Sequence, residues 1–159
     1  MKHRILVLSD SHGINDLMLR IIEKEAAELV VHAGDYCTSI NTMKKYIHYF
    51  VNGNNDYDDK DIEIFDYAGF KFLLVHGDQL WSWDENKWYQ RLRNLGNKHS
   101  VDIVIFGHSH KDLIDNTTKP YLLNPGSITL PRNNGLQKSY AIIEIDKTNL
   151  NFQIKYIKN

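Results

Sequence analysis

The run Ile5-Leu6-Val7-Leu8-Ser9-Asp10-Ser11-His12 is four apolar residues that break into groups able to bind a divalent cation. A short, continuous apolar run marks a strand buried on both faces. The same change recurs four more times along the chain. Gly34-Asp35 follows Leu29-Val30-Val31, and Gly53-Asn54-Asn55-Asp56 follows Phe50-Val51. His76-Gly77 follows Phe70 to Val75, and Gly107-His108-Ser109-His110 follows Ile103 to Phe106. One such cluster is a turn or a helix cap. Five in order point to a metal site at one edge of a sheet.

The segments between the clusters set the fold class. Ile14, Leu17, Met18, Ile21 and Ile22 form one apolar stripe at helical spacing. A second helix is expected from Ser39 or Asn41 to Tyr49. Strand, helix, strand, helix, strand implies parallel strands with right-handed crossovers, whose carboxyl ends share an edge where open α/β sheets bind ligands. Asp58-Asp59-Lys60-Asp61 reads as a solvated turn. Ile62 to Tyr67 and Phe70 to Val75 flank Ala68-Gly69 as a hairpin. Ser82-x-x-Glu85 reads as a capping box opening a helix to Leu95, with Gly96 as its stop. Beyond Gly107 the pattern is all-β: Tyr121-Leu122-Leu123, Tyr140 to Ile145, and Leu150 to Ile157, where Phe152, Ile154 and Tyr156 alternate with polar residues. The expected fold class is α/β, two packed mixed β-sheets flanked by helices in four layers.

Bulk properties narrow the function. The 159 residues suit one domain, 1–159, with 42% hydrophobic and 25% charged residues. A net charge of −1 lacks the Lys and Arg surplus that non-specific nucleic-acid binding needs. No apolar stretch approaches the roughly 20 residues of a bilayer span. The apolar run behind Met1-Lys2-His3-Arg4 is shorter than a signal-peptide core of about 7–15 residues. Cys37 is the only cysteine, so no intrachain disulfide forms. A cytoplasmic protein is expected.

Spacing gives the outline of a site. Asp35 is the candidate shared ligand, because the two oxygens of a carboxylate can each hold one metal. Asp10 and His12 lie two apart, as do His108 and His110, so each pair can face one site. Oxygen and imidazole donors suit Mn, Fe, Ni, Co or Zn. His32 is a candidate to support the ligands or to pack within its strand. Trp81, Trp83 and Trp88 either anchor the helix after His76 or edge a cleft or a subunit contact. Arg132 is a candidate phosphate contact or a surface residue.

The ordered clusters resemble those of the calcineurin-like metallophosphoesterase superfamily, in particular its small YfcE-type phosphodiesterase branch. The resemblance runs from Ile5 to about Arg132 and includes Asn124-Pro125-Gly126-Ser127 and Pro131-Arg132. It implies two divalent ions, with manganese first in expectation. Asp10, His12, Asp35 and His110 would bind one ion, and Asp35, Asn54, His76 and His108 the other. It further implies catalytic roles for Asp35, Asn54 and His108, with Asp56 orienting neighbouring groups. Many superfamily members carry His where this chain has Asn55, and the small branch often has Cys there. Asp78 stands where the branch often has a second His.

The expected activity is hydrolysis of a small phosphodiester by a metal-held hydroxide. Neither duplex nucleic acid nor a membrane is expected as a partner, and a homodimer is the base-rate assembly. The competing reading is a metal-binding scaffold of the same fold with little catalysis.

Overall fold

A computed structural model describes residues 2–58 and 60–158; Asp59 of the acidic stretch lies outside them. Two five-stranded mixed sheets pack face to face. The first contains β1 (Lys2–Leu8), β2 (Leu29–His32), β3 (Tyr49–Phe50), β9 (Ser139–Asp146) and β10 (Asn149–Tyr156), in the order β10-β9-β1-β2-β3. The second contains β4 (Ile62–Tyr67), β5 (Phe70–Val75), β6 (Ile103–Ile105), β7 (Leu113–Asp115) and β8 (Tyr121–Asn124), in the order β4-β5-β6-β8-β7. Helices α1 (Asn15–Glu25) and α2 (Ile40–Tyr46) cover the first sheet, and α3 (Glu85–Lys98) covers the second.

Alternation along each strand builds the layers. Ile5, Val7, Leu29, Val31, Phe72, Leu74, Ile103 and Ile105 point between the sheets and form the central core. Their neighbours Leu6, Leu8 and Val30 pack under Met18, Ile21 and Met43 of the helices. On the far side Leu73, Val75, Val104 and Phe106 pack under Trp88 and Leu92. Both faces of these strands are buried, which is why their sequences are continuous apolar runs.

Several boundaries differ from the sequence expectation. The second helix starts after Ser39, whose hydroxyl accepts the Thr42 N–H at 3.1 Å, but it ends at Tyr46. Tyr49 and Phe50 instead pair with β2. The third helix is capped by Asp84, not Ser82: the Asp84 carboxylate accepts the N–H groups of Asn86 and Lys87 at 3.0 and 3.4 Å. Gly96 does not stop that helix, which runs on to Lys98. A Cβ there would lie 2.7 Å from Val104 and 2.9 Å from Pro120, so glycine lets the helix sit close on the sheet. Strand β7, Leu-Ile-Asp, is too short to show a period in the sequence.

The parallel strands β1, β2 and β3 end at one edge of the first sheet, and β5, β6 and β8 run parallel in the second. The five polar clusters therefore leave the ends of strands from both sheets and meet across the sandwich.

Candidate metal centre

Asp10, His12, Asp35 and His110 each offer a ligand atom within 4.8 Å of the others. His110 Nε2 lies 3.2 Å from Asp10 Oδ1 and 3.4 Å from His12 Nε2. A second group adjoins it. Asn54 Oδ1 is 3.0 Å from His76 Nε2 and 3.2 Å from His108 Nδ1. Asp35 Oδ2 lies between the groups, 3.4 Å from His76 Nε2 and 3.8 Å from His12 Nε2. Both groups thus meet at the single atom Oδ2, rather than one at each carboxylate oxygen. Oδ1 is turned to the Asn55 N–H, 2.9 Å away.

The shorter of these separations, 3.0–3.4 Å, suit cations. Donors bound to one ion at about 2.1 Å lie roughly 3.0–3.4 Å apart in octahedral or tetrahedral geometry. Among the described residues, buried Asp10 Oδ1 has no hydrogen-bond partner, an orphaned charge that a cation would satisfy. Backbone carbonyls prepare two of the imidazoles. His76 Nδ1 lies 2.8 Å from the Ala33 carbonyl, and His110 Nδ1 lies 2.6 Å from that of Leu130. A carbonyl only accepts, so each Nδ1 carries the hydrogen. In the neutral ring, Nε2 then presents its lone pair to the site.

The electrostatics agree with that design. Burial would raise the Asp10 carboxyl, but the adjoining His110 and His76 imidazoles and the Ser9 hydroxyl hold it below the usual range. Burial also opposes ionisation of Asp35, yet His76 and the two Asn55 hydrogen bonds hold it well down. Both carboxylates are therefore ready as anions. His76 is pulled the other way: burial disfavours its charge, but Asp35 and Asp10 raise it to about 9.

The surrounding loops are tied tightly. Asp10, His12, Asp35, Cys37, His108 and His110 all have left-handed backbone, with φ from 46° to 70°. Such residues are strained unless their surroundings fix them. Asp10 and His12 donate their N–H groups to the carbonyls of Gly34 and Asp35 at 2.9 and 3.0 Å, lacing the first two loops together. The Asp56 carboxylate accepts the N–H groups of Asp35 (2.6 Å), Gly53 (2.8 Å), Cys37 (2.9 Å) and Tyr36 (3.3 Å). Its contacts are with backbone, so it positions the second and third loops. Gly53 is needed beside it, because a Cβ there would collide with the Asp35 carboxylate.

Residues beyond the ligands support these loops. Ser127 Oγ and Thr129 Oγ1 donate to the Asp10 carbonyl at 2.7 and 3.1 Å, and Asn124 Nδ2 donates to the Gly107 carbonyl at 3.0 Å. These contacts give the Asn124-Pro125-Gly126-Ser127 run its place: it braces two ligand loops at once. By residue type alone the run reads as a turn, and only the family resemblance marks it in the sequence. Asn55 Nδ2 donates to Asp35 Oδ2 at 2.9 Å, so this side chain holds the shared carboxylate. Asp78 lies in a short 3-10 turn, Asp78–Leu80, and its buried Oδ1 has no hydrogen-bond partner among the described residues. Trp88 is buried core, Trp81 packs edge-on to His108, and Trp83 is exposed. The Arg132 side chain is exposed, while its N–H donates to the His110 carbonyl at 2.9 Å.

Residues 3–148 match the family model of the calcineurin-like phosphoesterase superfamily domain. The chain belongs to that superfamily. It is 35% identical over 147 residues to a probable metallophosphoesterase of Mycoplasma genitalium, covering 92% of this chain and 90% of the relative. A predicted phosphoesterase from Streptococcus pneumoniae superposes with a TM-score of 0.86 at 26% identity, over 98% of this chain and 90% of that one. The phosphoesterase YfcE of E. coli shares the fold, with a TM-score of 0.65 at 17% identity over 98% and 100% of the two chains. Family membership and the ligand cluster together identify a divalent-metal-binding protein. Among the described residues, no helix of this superfamily member is long and apolar enough to cross a membrane.

Proposed function

We propose that the protein is a metal-dependent phosphodiesterase acting on a small phosphodiester with two divalent ions, manganese foremost. One ion would be held by Asp10, His12, Asp35 and His110, the other by Asp35, Asn54, His76 and His108. The observation that carries this reading is the pair of donor groups meeting at Asp35 Oδ2. Divalent ions in such a site polarise phosphoryl oxygens and activate water for attack on phosphorus. Two carboxylates against two such ions leave the site cationic, and neutral Asn54 preserves that attraction for a phosphate anion. Asn55 holds Asp35 in place. An amide releases no proton near neutral pH, so the leaving oxygen gains none from Asn55.

The reading covers the setting as well. The net charge of −1 supports a small substrate over duplex nucleic acid, with no membrane partner. The unpaired thiol of Cys37 is in keeping with the reducing cytoplasm. Metal-stripped protein restored with Mn²⁺ tests the activity on bis-p-nitrophenyl phosphate and p-nitrophenyl phosphate. The expected result is two ions bound per chain and diester turnover that needs metal and is lost in Asp35→Asn. Faster monoester turnover would make it a phosphatase. Two bound ions with no turnover on either ester would favour the scaffold reading.

A further inference from the structure

Trp83 is 92% exposed, an unusual place for an indole. Its position in the chain offers a structural explanation, but the structure does not use it. Asp84 caps α3, so Trp83 is the residue before the cap and Trp88 is the fourth residue of the helix. Those two positions commonly pack together as a hydrophobic staple. Here Trp81 takes that role, with its ring 4.8 Å from Trp88. Trp88 is also held by a hydrogen bond from Nε1 to the Gly77 carbonyl at 2.9 Å and by Phe106 at 5.1 Å. Trp83 meets Trp81 at the outer side of that packing and keeps most of its surface in water.

What Trp83 does touch leads to the metal centre. Its ring is 5.8 Å from Trp81, edge to face, and Trp81 is 5.0 Å from His108. A ladder of aromatic ring contacts therefore runs from His108 through half-buried Trp81 to an indole that stands largely in water. Two ring contacts separate that indole from the proposed reaction site. A simple aryl ester would put its ring directly beside His108 and Trp81, short of Trp83. A nucleotide carries its aromatic base on a sugar spacer, which sets the base farther from the phosphate than an aryl ester sets its ring.

We propose that Trp83 is a stacking platform for the base of a nucleotide-type phosphodiester whose phosphate lies at the Asp35 centre. The inference rests on the phosphoesterase reading and adds the substrate class to it. Stacking on an aromatic side chain is tolerant of base identity, so it selects nucleotides as a class rather than one base.

The test compares AMP with ribose 5-phosphate, which share phosphate and sugar and differ by the base. Both are titrated into the Mn²⁺-loaded protein by calorimetry, with no turnover required. AMP is expected to bind about tenfold more tightly or better. Trp83→Ala is expected to bring the two within about twofold, and Trp83→Phe to keep most of the preference. Equal affinities in the wild type, or a preference that survives Trp83→Ala, would overturn the proposal. So would a dimer that Trp83→Ala converts to monomer with the AMP preference intact, which would make Trp83 a subunit contact. Metal-dependent diester turnover without an AMP preference removes this inference alone. An AMP preference without any ester turnover keeps the platform and removes the hydrolase reading.

Discussion

His32 sits at the end of β2 with no solvent exposure and with both ring nitrogens engaged. Nδ1 accepts the Gly34 N–H at 3.1 Å, so Nε2 carries the hydrogen and donates to Ser11 Oγ at 2.9 Å. The ring thereby ties the loop after β2 to the loop after β1 in its neutral form. Burial depresses its pKa from 6.5 to about 4. Below about pH 6.5 the unfolded chain takes up a proton that the folded protein refuses. The stability contributed by neutral His32 is thus complete above that pH and falls as the pH drops toward 4. Urea unfolding at pH 7.5 and 5.0 is expected to show a loss of about 2 kcal/mol from this group. His32→Gln removes that part of the slope, and an unchanged slope in the variant would place the acid sensitivity elsewhere. Asn55 carries a second expectation. Asn55→His is expected to raise kcat/KM on an alkyl phosphodiester at least about tenfold relative to its nitrophenyl analogue, because imidazolium can protonate a poor leaving group. Ligand identities were legible in the sequence at this scale, since a buried strand has no structural reason to end in Asp-Ser-His or His-Ser-His. The atoms that orient them were not. Ala33 and Leu130 act through their carbonyls, which any residue carries, and the left-handed backbone at six non-glycine positions leaves no mark in residue type.

At the scale of elements, the strands were the most legible feature, because burial on both faces forces an unbroken apolar run. Helix ends were less so, as α3 shows. Ser82-x-x-Glu85 has the letters of a capping box, yet Ser82 Oγ accepts only the Asp84 N–H at 3.2 Å. Asp84 has the stronger claim, as a carboxylate at the positive end of the helix. Asp84→Ala is therefore expected to cost about 1 kcal/mol in chemical denaturation, and Ser82→Ala a few tenths. Equal costs would return the cap to Ser82. Gly96 tests the same helix from its other end. Propensity alone makes Gly→Ala in a helix worth about 1 kcal/mol of added stability. The close approach of Val104 and Pro120 reverses that sign, so Gly96→Ala is expected to lower the unfolding midpoint. Whether glycine ends a helix or seats one depends on what lies across from it, which a single sequence does not carry.

Across the whole molecule, the proposed centre joins the two sheets at one edge. Asp10, His12, Asp35 and Asn54 follow strands of the first sheet, while His76, His108 and His110 follow strands of the second. The central core already holds the sheets together through Ile5, Val7, Phe72, Leu74, Ile103 and Ile105, so folding is not expected to depend on metal. Metal instead adds a clamp where two carboxylates and four imidazoles crowd together, and where Asp10 Oδ1 has no hydrogen bond among the described residues. A ligand that binds only the folded state at a hundredfold excess over its Kd adds about 2.7 kcal/mol. For a chain of this size, that corresponds to a shift in Tm of roughly 5–10 °C. Melting in EDTA and in saturating Mn²⁺ is expected to differ by that amount, with a cooperative transition in both. Asp35→Asn removes the shared anion, so its two melting curves are expected to nearly coincide. A metal-induced rise that persists in Asp35→Asn would locate the stabilising ion away from this edge. Loss of cooperative unfolding in EDTA would mean that the core between the sheets is not sufficient on its own.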